Sequence, residues 1–166
     1  AGGVLWFVLN GMPYINKLRE NWEAQRLQAQ WEKPYREDTY GGKTPEETYD
    51  MFLDALSKGD TTLASKYFVV DEQAKWQKTL DEYKKQNLLA NFVQELENNR
   101  KIWTKLPPSG DPLFKDTESY GYSVVIKNGT TANIDGQKVN IPAGTYDNET
   151  EFQLNTYTKI WKIGLL

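Results

Sequence analysis

The segment Pro107-Pro108-Ser109-Gly110-Asp111-Pro112 places three prolines and a glycine within six residues. Proline fixes φ and has no N–H to give, so neither a helix nor an inner strand can run through such a stretch. The hydrophobic period differs on its two sides. Before it, apolar residues recur at helical spacing; after it, they alternate among β-branched and aromatic residues. Helices in one half of a chain and hairpins in the other predict an α+β fold, with the helices on one face of an antiparallel sheet.

The helical half has a sharp start. Thr44 can act as N-cap, Pro45 suits the first helical position, and Glu47 is placed to close a capping box. Tyr49, Phe52, Leu53 and Leu56 then share one face, and Gly59 supplies a left-handed stop. Asp60 caps a short second helix with Leu63, Ala64, Tyr67 and Phe68 inward, leading into Val69-Val70. Asp71 is expected to cap a third, carrying Trp76, Leu80 and Tyr83. After a break near Gln86-Asn87 the pattern resumes with Leu88, Leu89, Phe92, Val93 and Leu96.

Beyond the proline segment, Tyr120 to Lys127 reads as a strand. Asn128-Gly129 is the preferred two-residue hairpin turn, which would return the chain as a neighbouring strand over Thr131 to Ile134. Asp135-Gly136 repeats the signal before Gln137 to Ile141, and Pro142-Ala143-Gly144 turns the chain again. Glu149 to Ile163 alternates for long enough to predict one bent or bulged strand.

Residues 1 to 15 form an uncharged, mostly apolar run, Ala-Gly-Gly-Val-Leu-Trp-Phe-Val-Leu-Asn-Gly-Met-Pro-Tyr-Ile. As a helix it would be about 22 Å long, short of the ~30 Å that a bilayer's hydrocarbon core demands. It is therefore expected to be the end of a membrane anchor, carried by Val4, Leu5, Trp6, Phe7, Val8 and Leu9, with Trp6, Tyr14, Lys17 and Arg19 suited to its interfacial end. A polar helix follows from Tyr14 to Lys33. Its apolar residues split between two faces, Ile15, Leu18 and Trp22 on one, Leu27 and Trp31 on the other, which excludes a heptad seam. Trp22 and Trp31 on so polar a helix are the candidate contact surface for another chain, for the sheet or for lipid headgroups. Pro34 to Lys43 reads as a linker. The expected organisation is an anchor over 1–15, a polar helix and linker over 16–43, and an α+β domain over 44–166.

Composition narrows the chemistry. The 166 residues include no histidine and no cysteine. This removes thiolate zinc sites, disulfides, His-dependent triads and iron–sulfur clusters. No metal and no cofactor is expected. A net charge of −3 without a basic arm argues against nucleic acid as partner. Asp50 and Asp54 fall off the apolar face of their helix and are expected in solvent. Tyr67, Tyr120, Tyr122, Tyr146 and Tyr157 read as packing aromatics, and Trp76, Trp103 and Trp161 as buried. The acceptor patterns Asn128-Gly129-Thr130 and Asn148-Glu149-Thr150 both coincide with expected turns.

Thr44-Pro45-Glu46-Glu47-Thr48-Tyr49, Phe52-Leu53-Asp54-Ala55-Leu56, Gly59-Asp60 and Ala64-Ser65-Lys66-Tyr67-Phe68 together resemble the first two helices of the nuclear transport factor 2-like superfamily, in particular its small bacterial extracytoplasmic and lipoprotein-type members. Ile160-Trp161-Lys162-Ile163 is similar to that superfamily's closing strand. The resemblance implies a cone of helices over a strongly curved sheet with a pocket between them. The Asp71 to Trp103 segment is longer than the family's third helix. The expected function is a noncatalytic, membrane-anchored extracytoplasmic domain that binds a protein partner, itself or a small apolar ligand. Some members of the superfamily, ketosteroid isomerases and dehydratases among them, perform proton transfer in the pocket, so the enzymatic alternative is a buried carboxylate with a raised pKa. A subunit of a pilin-like filament is the other alternative, although Leu5 stands where such proteins carry glutamate.

Overall fold

A computed structural model describes the backbone of residues 2–134 and 137–166 and the side chains of 17, 19–131 and 138–166. The chain divides into two compact units, Ala1–Asp38 and Thr39–Leu166.

The first unit is one helix, α1 (Gly2–Glu37). Pro34 does not end it, contrary to the expected linker. A proline in the last turn removes a single helical hydrogen bond, and Arg36 closes that turn by donating from its guanidinium to Glu32 Oε2 at 2.7 and 3.0 Å. Among the described residues no helix is long and apolar enough to cross a membrane. The side chains of Val4, Leu5, Trp6, Phe7, Val8 and Leu9 lie outside the described residues.

The second unit begins with α2 (Pro45–Ser57), where Thr44 Oγ1 accepts from Glu47 N at 3.1 Å. Glu47 reaches back one residue further than in a standard capping box and accepts from Lys43 N at 2.7 Å. At the other end Gly59 (φ +70°) makes a Schellman stop: Gly59 N donates to Leu56 O and Asp60 N to Ala55 O, at 2.8 and 2.9 Å. Asp60 then caps α3 (Thr61–Ser65) by accepting from Leu63 N. Asp71 is not a cap. It lies in a short 3₁₀ turn, Val70–Glu72, that runs straight into α4 (Gln73–Lys85), so the helix begins from an existing turn with no side-chain cap. Asn87, at φ +60°, breaks the chain before α5 (Leu89–Ile102).

The sheet holds β1 (Thr104–Lys105), β2 (Thr117–Ile126), β5 (Gly144–Asn155) and β6 (Ile160–Leu165), all antiparallel, in the order β1-β2-β5-β6. Three sequence expectations change here. Asn128-Gly129 does not close a hairpin between neighbours: β2 pairs directly with β5, from Thr117↔Gln153 to Ile126↔Gly144. Between them β3 (Thr130–Ile134) and β4 (Gln137–Ile141) form a separate two-stranded ribbon. The turn residues Asp135 and Gly136 lie outside the described residues. Second, Glu149 to Ile163 is a hairpin and not one strand. Asn155 Oδ1 accepts from the N–H of Tyr157 and Thr158, and Lys159 takes φ +59°, so an Asx turn reverses the chain without glycine or proline. Third, Asn148 sits inside β5 opposite Tyr122, and Thr150 of the same acceptor pattern is buried.

The core lies between the helices and one face of this sheet. Tyr49, Phe52 and Leu56 of α2, with Phe68, Phe152 and Ile163, are all at most 1% exposed. The outer edge of β6 is covered by irregular chain: Trp161 N donates to Gly42 O, Ile163 N to Tyr67 O, and Val69 N to Ile163 O, each at 2.9 Å. Such covering removes an edge that would otherwise pair with another chain.

Candidate functional site

The resemblance implies a pocket between the helices and the sheet; in this chain aromatic rings meet between α2 and the sheet. Trp103 stands at the end of α5, where the helix gives way to β1. Its ring lies 4.7 Å from Tyr49, 4.5 Å from Tyr120 and 6.0 Å from Phe152, centroid to centroid. Phe152 also meets Tyr49 and Tyr120 edge-on at 6.2 and 5.7 Å. Phe68 continues the cluster by stacking on Trp76 at 4.2 Å. Contacts of this kind bury large areas and favour offset or edge-to-face geometry. Trp76, Trp103 and Trp161 are each partly buried and packed against the core, in line with the burial expected of them.

One carboxylate touches this cluster. Glu46, in the first turn of α2, accepts a 2.5 Å hydrogen bond from the Tyr120 hydroxyl. Burial alone would raise its pKa. The bonds from Tyr120, its own backbone and Thr44, with the attraction of Lys105, outweigh burial and hold it below the ordinary carboxylate value. The same pairing, after burial, pushes the Tyr120 phenol upward, and burial does the same to Tyr49. Neither shift makes an acid or base matched to neutral pH: the carboxylate stays charged and the phenols stay protonated. Asp50 and Asp54 are exposed, as their helical positions predict, and are engaged with Arg100 at 3.5 Å and Lys58 at 2.5 Å. Arg100 also lies over the Trp103 ring, 4.4 Å from its centroid.

Comparison with protein-family models, with curated proteins and with solved structures gives no match.

Among the open clefts of the second unit are two large ones. One, of about 680 Å³, lies where the end of α2 meets the α4–α5 junction, between Leu56, Asn87 and Val93. Lys84 at its rim is already used, its Nζ donating to Gly59 O at 2.7 Å. The other, of about 620 Å³, lies between the 105–119 stretch of chain and the sheet, with Leu106, Phe114, Leu154 and Trp161 beside Glu149 and Glu151. Sequence reasoning did not find it. Proline-rich segments signal a loop, and nothing local shows that such a loop will arch over a sheet.

Trp22 and Trp31 are exposed, at 66% and 77%. Nine residues separate them, two and a half helical turns, so they stand on opposite sides of α1. Among the described residues no group of three or more acidic side chains is arranged to hold a metal ion. Lys162 was also missed: it is 2% exposed, and its Nζ donates to Tyr40 O and Lys66 O at 2.5 Å each.

Proposed function

We propose that this chain is a noncatalytic extracytoplasmic binding or scaffold domain of the nuclear transport factor 2-like kind, held at a membrane by its N-terminal segment. The observation that carries the noncatalytic part is the Tyr49–Trp103–Tyr120–Phe152 ring cluster, which packs aromatic rings between α2 and the sheet, where the resemblance would put a pocket. Its one neighbouring carboxylate is held in the charged form, the reverse of the shift that a general acid or isomerase base requires. The anchor rests on the uncharged run 1–15, with Tyr14, Lys17 and Arg19 at its end.

The test is fractionation of the complete gene product and of the same protein lacking the equivalent of residues 1–15. The full protein is expected in the membrane fraction, released by detergent and not by salt, and the shortened one in the soluble fraction. Soluble behaviour of both overturns the anchor, and filaments with residues 1–15 at their centre would replace it with the pilin-like reading.

A further inference from the structure

We infer that the cleft beneath the proline-rich segment docks an extended stretch of polypeptide carrying lysine or arginine between apolar side chains. This deepens the noncatalytic binding reading and rests on it.

Two independent properties of the cleft define the occupant. The first is charge. Its lining holds five carboxylates, Asp111, Asp116, Glu118, Glu149 and Glu151, against Lys105 and Lys115. Lys105 is already matched, its Nζ 2.6 Å from Glu118. The surplus is negative and stands beside the apolar side chains of Leu106, Phe114, Leu154 and Trp161, whose low-dielectric surface strengthens the attraction for a cation. Anionic lipid and nucleic acid are repelled by the same field.

The second is the shortage of donors. Pro107, Pro108 and Pro112 have no N–H. Three other amides of the wall are already engaged: Leu106 N donates to Ser119 O, Asp111 N to Ser109 Oγ and Phe114 N to Asp111 O, at 2.8, 3.2 and 3.0 Å. With three prolines and three engaged amides in its wall, the cleft is poor in free backbone donors beside its carboxylates, and a ligand that brings a guanidinium or ammonium together with peptide N–H groups suits that balance. Leu113, 86% exposed, and Phe114, 49% exposed, extend the apolar surface at the rim. An alternation of cationic and apolar side chains along an extended peptide meets both kinds of surface at once.

The probe is a fluorescein-labelled octapeptide alternating leucine and arginine, titrated with the full chain by fluorescence anisotropy, with a leucine–glutamate octapeptide as comparison. The arginine peptide is expected to bind and the glutamate peptide not to. The double variant Glu149→Gln with Glu151→Gln is expected to weaken binding about tenfold, and Phe114→Ser severalfold, as loss of charge and apolar contact at one site would. Glu95→Gln with Glu97→Gln makes the same change in net charge on α5 and is expected to leave the affinity unchanged; circular dichroism confirms that each variant is folded. Amide shifts on titration should centre on Ser119, Glu149, Glu151 and Trp161. Equal loss in the α5 variant, no loss in the cleft variants, or full displacement by arginine amide at matched concentration overturns the proposal. Membrane fractionation reads the anchor alone, so a failure here with fractionation intact removes the docking site and leaves the anchor standing.

Discussion

The bond between Tyr120 and Glu46 joins the sheet to the first turn of α2, and its contribution to stability depends on pH in a definite direction. Tyr120 is 3% exposed, so a phenol without an acceptor there would be costly. Glu46 ionises more readily in the folded chain than in the unfolded one. A depressed folded-state pKa contributes stability that is fully present above the unfolded value, about 4.3, and is lost as pH falls through the folded value. Tyr120→Phe removes the donor and keeps the ring in its cluster. The variant is expected to be less stable by about 1.5–3 kcal/mol at pH 7, the range for a hydrogen bond to a charged group. Urea denaturation repeated at pH 7, 5 and 3 should show the two proteins converging at the acid end. A gap that is constant with pH would mean that the hydroxyl acts through packing and not through the carboxylate.

The helices of the second unit were legible because their signals are local. Thr44, Asp60 and Gly59 each act on residues within one turn, and each takes the conformation that its chemistry predicts. The failures are non-local or lack a marker. Asn128-Gly129 has the composition of a tight hairpin, yet β2 finds its partner across an inserted ribbon. The Asn155–Lys159 turn carries no glycine or proline, so its strands read as one. Lys162 sits mid-strand as a polar residue should on an exposed face, and only the carbonyls of Tyr40 and Lys66, far away in sequence, explain its burial. The outer cleft was invisible for the same reason, since the 105–119 segment meets β5 and β6 from a distance along the chain. The inserted ribbon yields a prediction of its own. Ile126 pairs with Gly144, so the β2–β5 ladder is complete before β3 begins. Replacing residues 127–143 with a two-residue Asn-Gly turn should leave a cooperative thermal transition, with a midpoint within about 5 °C of the parent, because a shorter loop costs less closure entropy and, among the described residues, no core side chain is removed. Loss of cooperativity would show that the ribbon supports the sheet.

At the scale of the whole molecule, the question is how an anchored α1 would present the rest of the chain. Helical rise is 1.5 Å per residue, so in a helix standing on the bilayer Trp22 would lie about 10 Å beyond Ile15, and Trp31 about 24 Å. The interfacial layer on each side of the hydrocarbon is about 5–8 Å thick. On the proposed anchor the backbone of Trp22 therefore stands just beyond the headgroups, and its indole reaches them because helical side chains tilt toward the N-terminus; Trp31 stands in water, although both are exposed on the protein itself. Their positions on opposite sides of α1 make this a sharper test than exposure alone, because a helix lying flat on the surface would bring at most one of the two sides to the lipid along its whole length. Full-length protein in vesicles with a quencher at headgroup level should lose part of its tryptophan emission. Trp22→Phe should remove much of the quenchable component that remains after the contribution of Trp6 is subtracted with Trp6→Phe, and Trp31→Phe should remove none. Quenching that depends on Trp31 instead would place α1 along the membrane surface, and quenching that depends on neither would leave the two tryptophans free to contact protein.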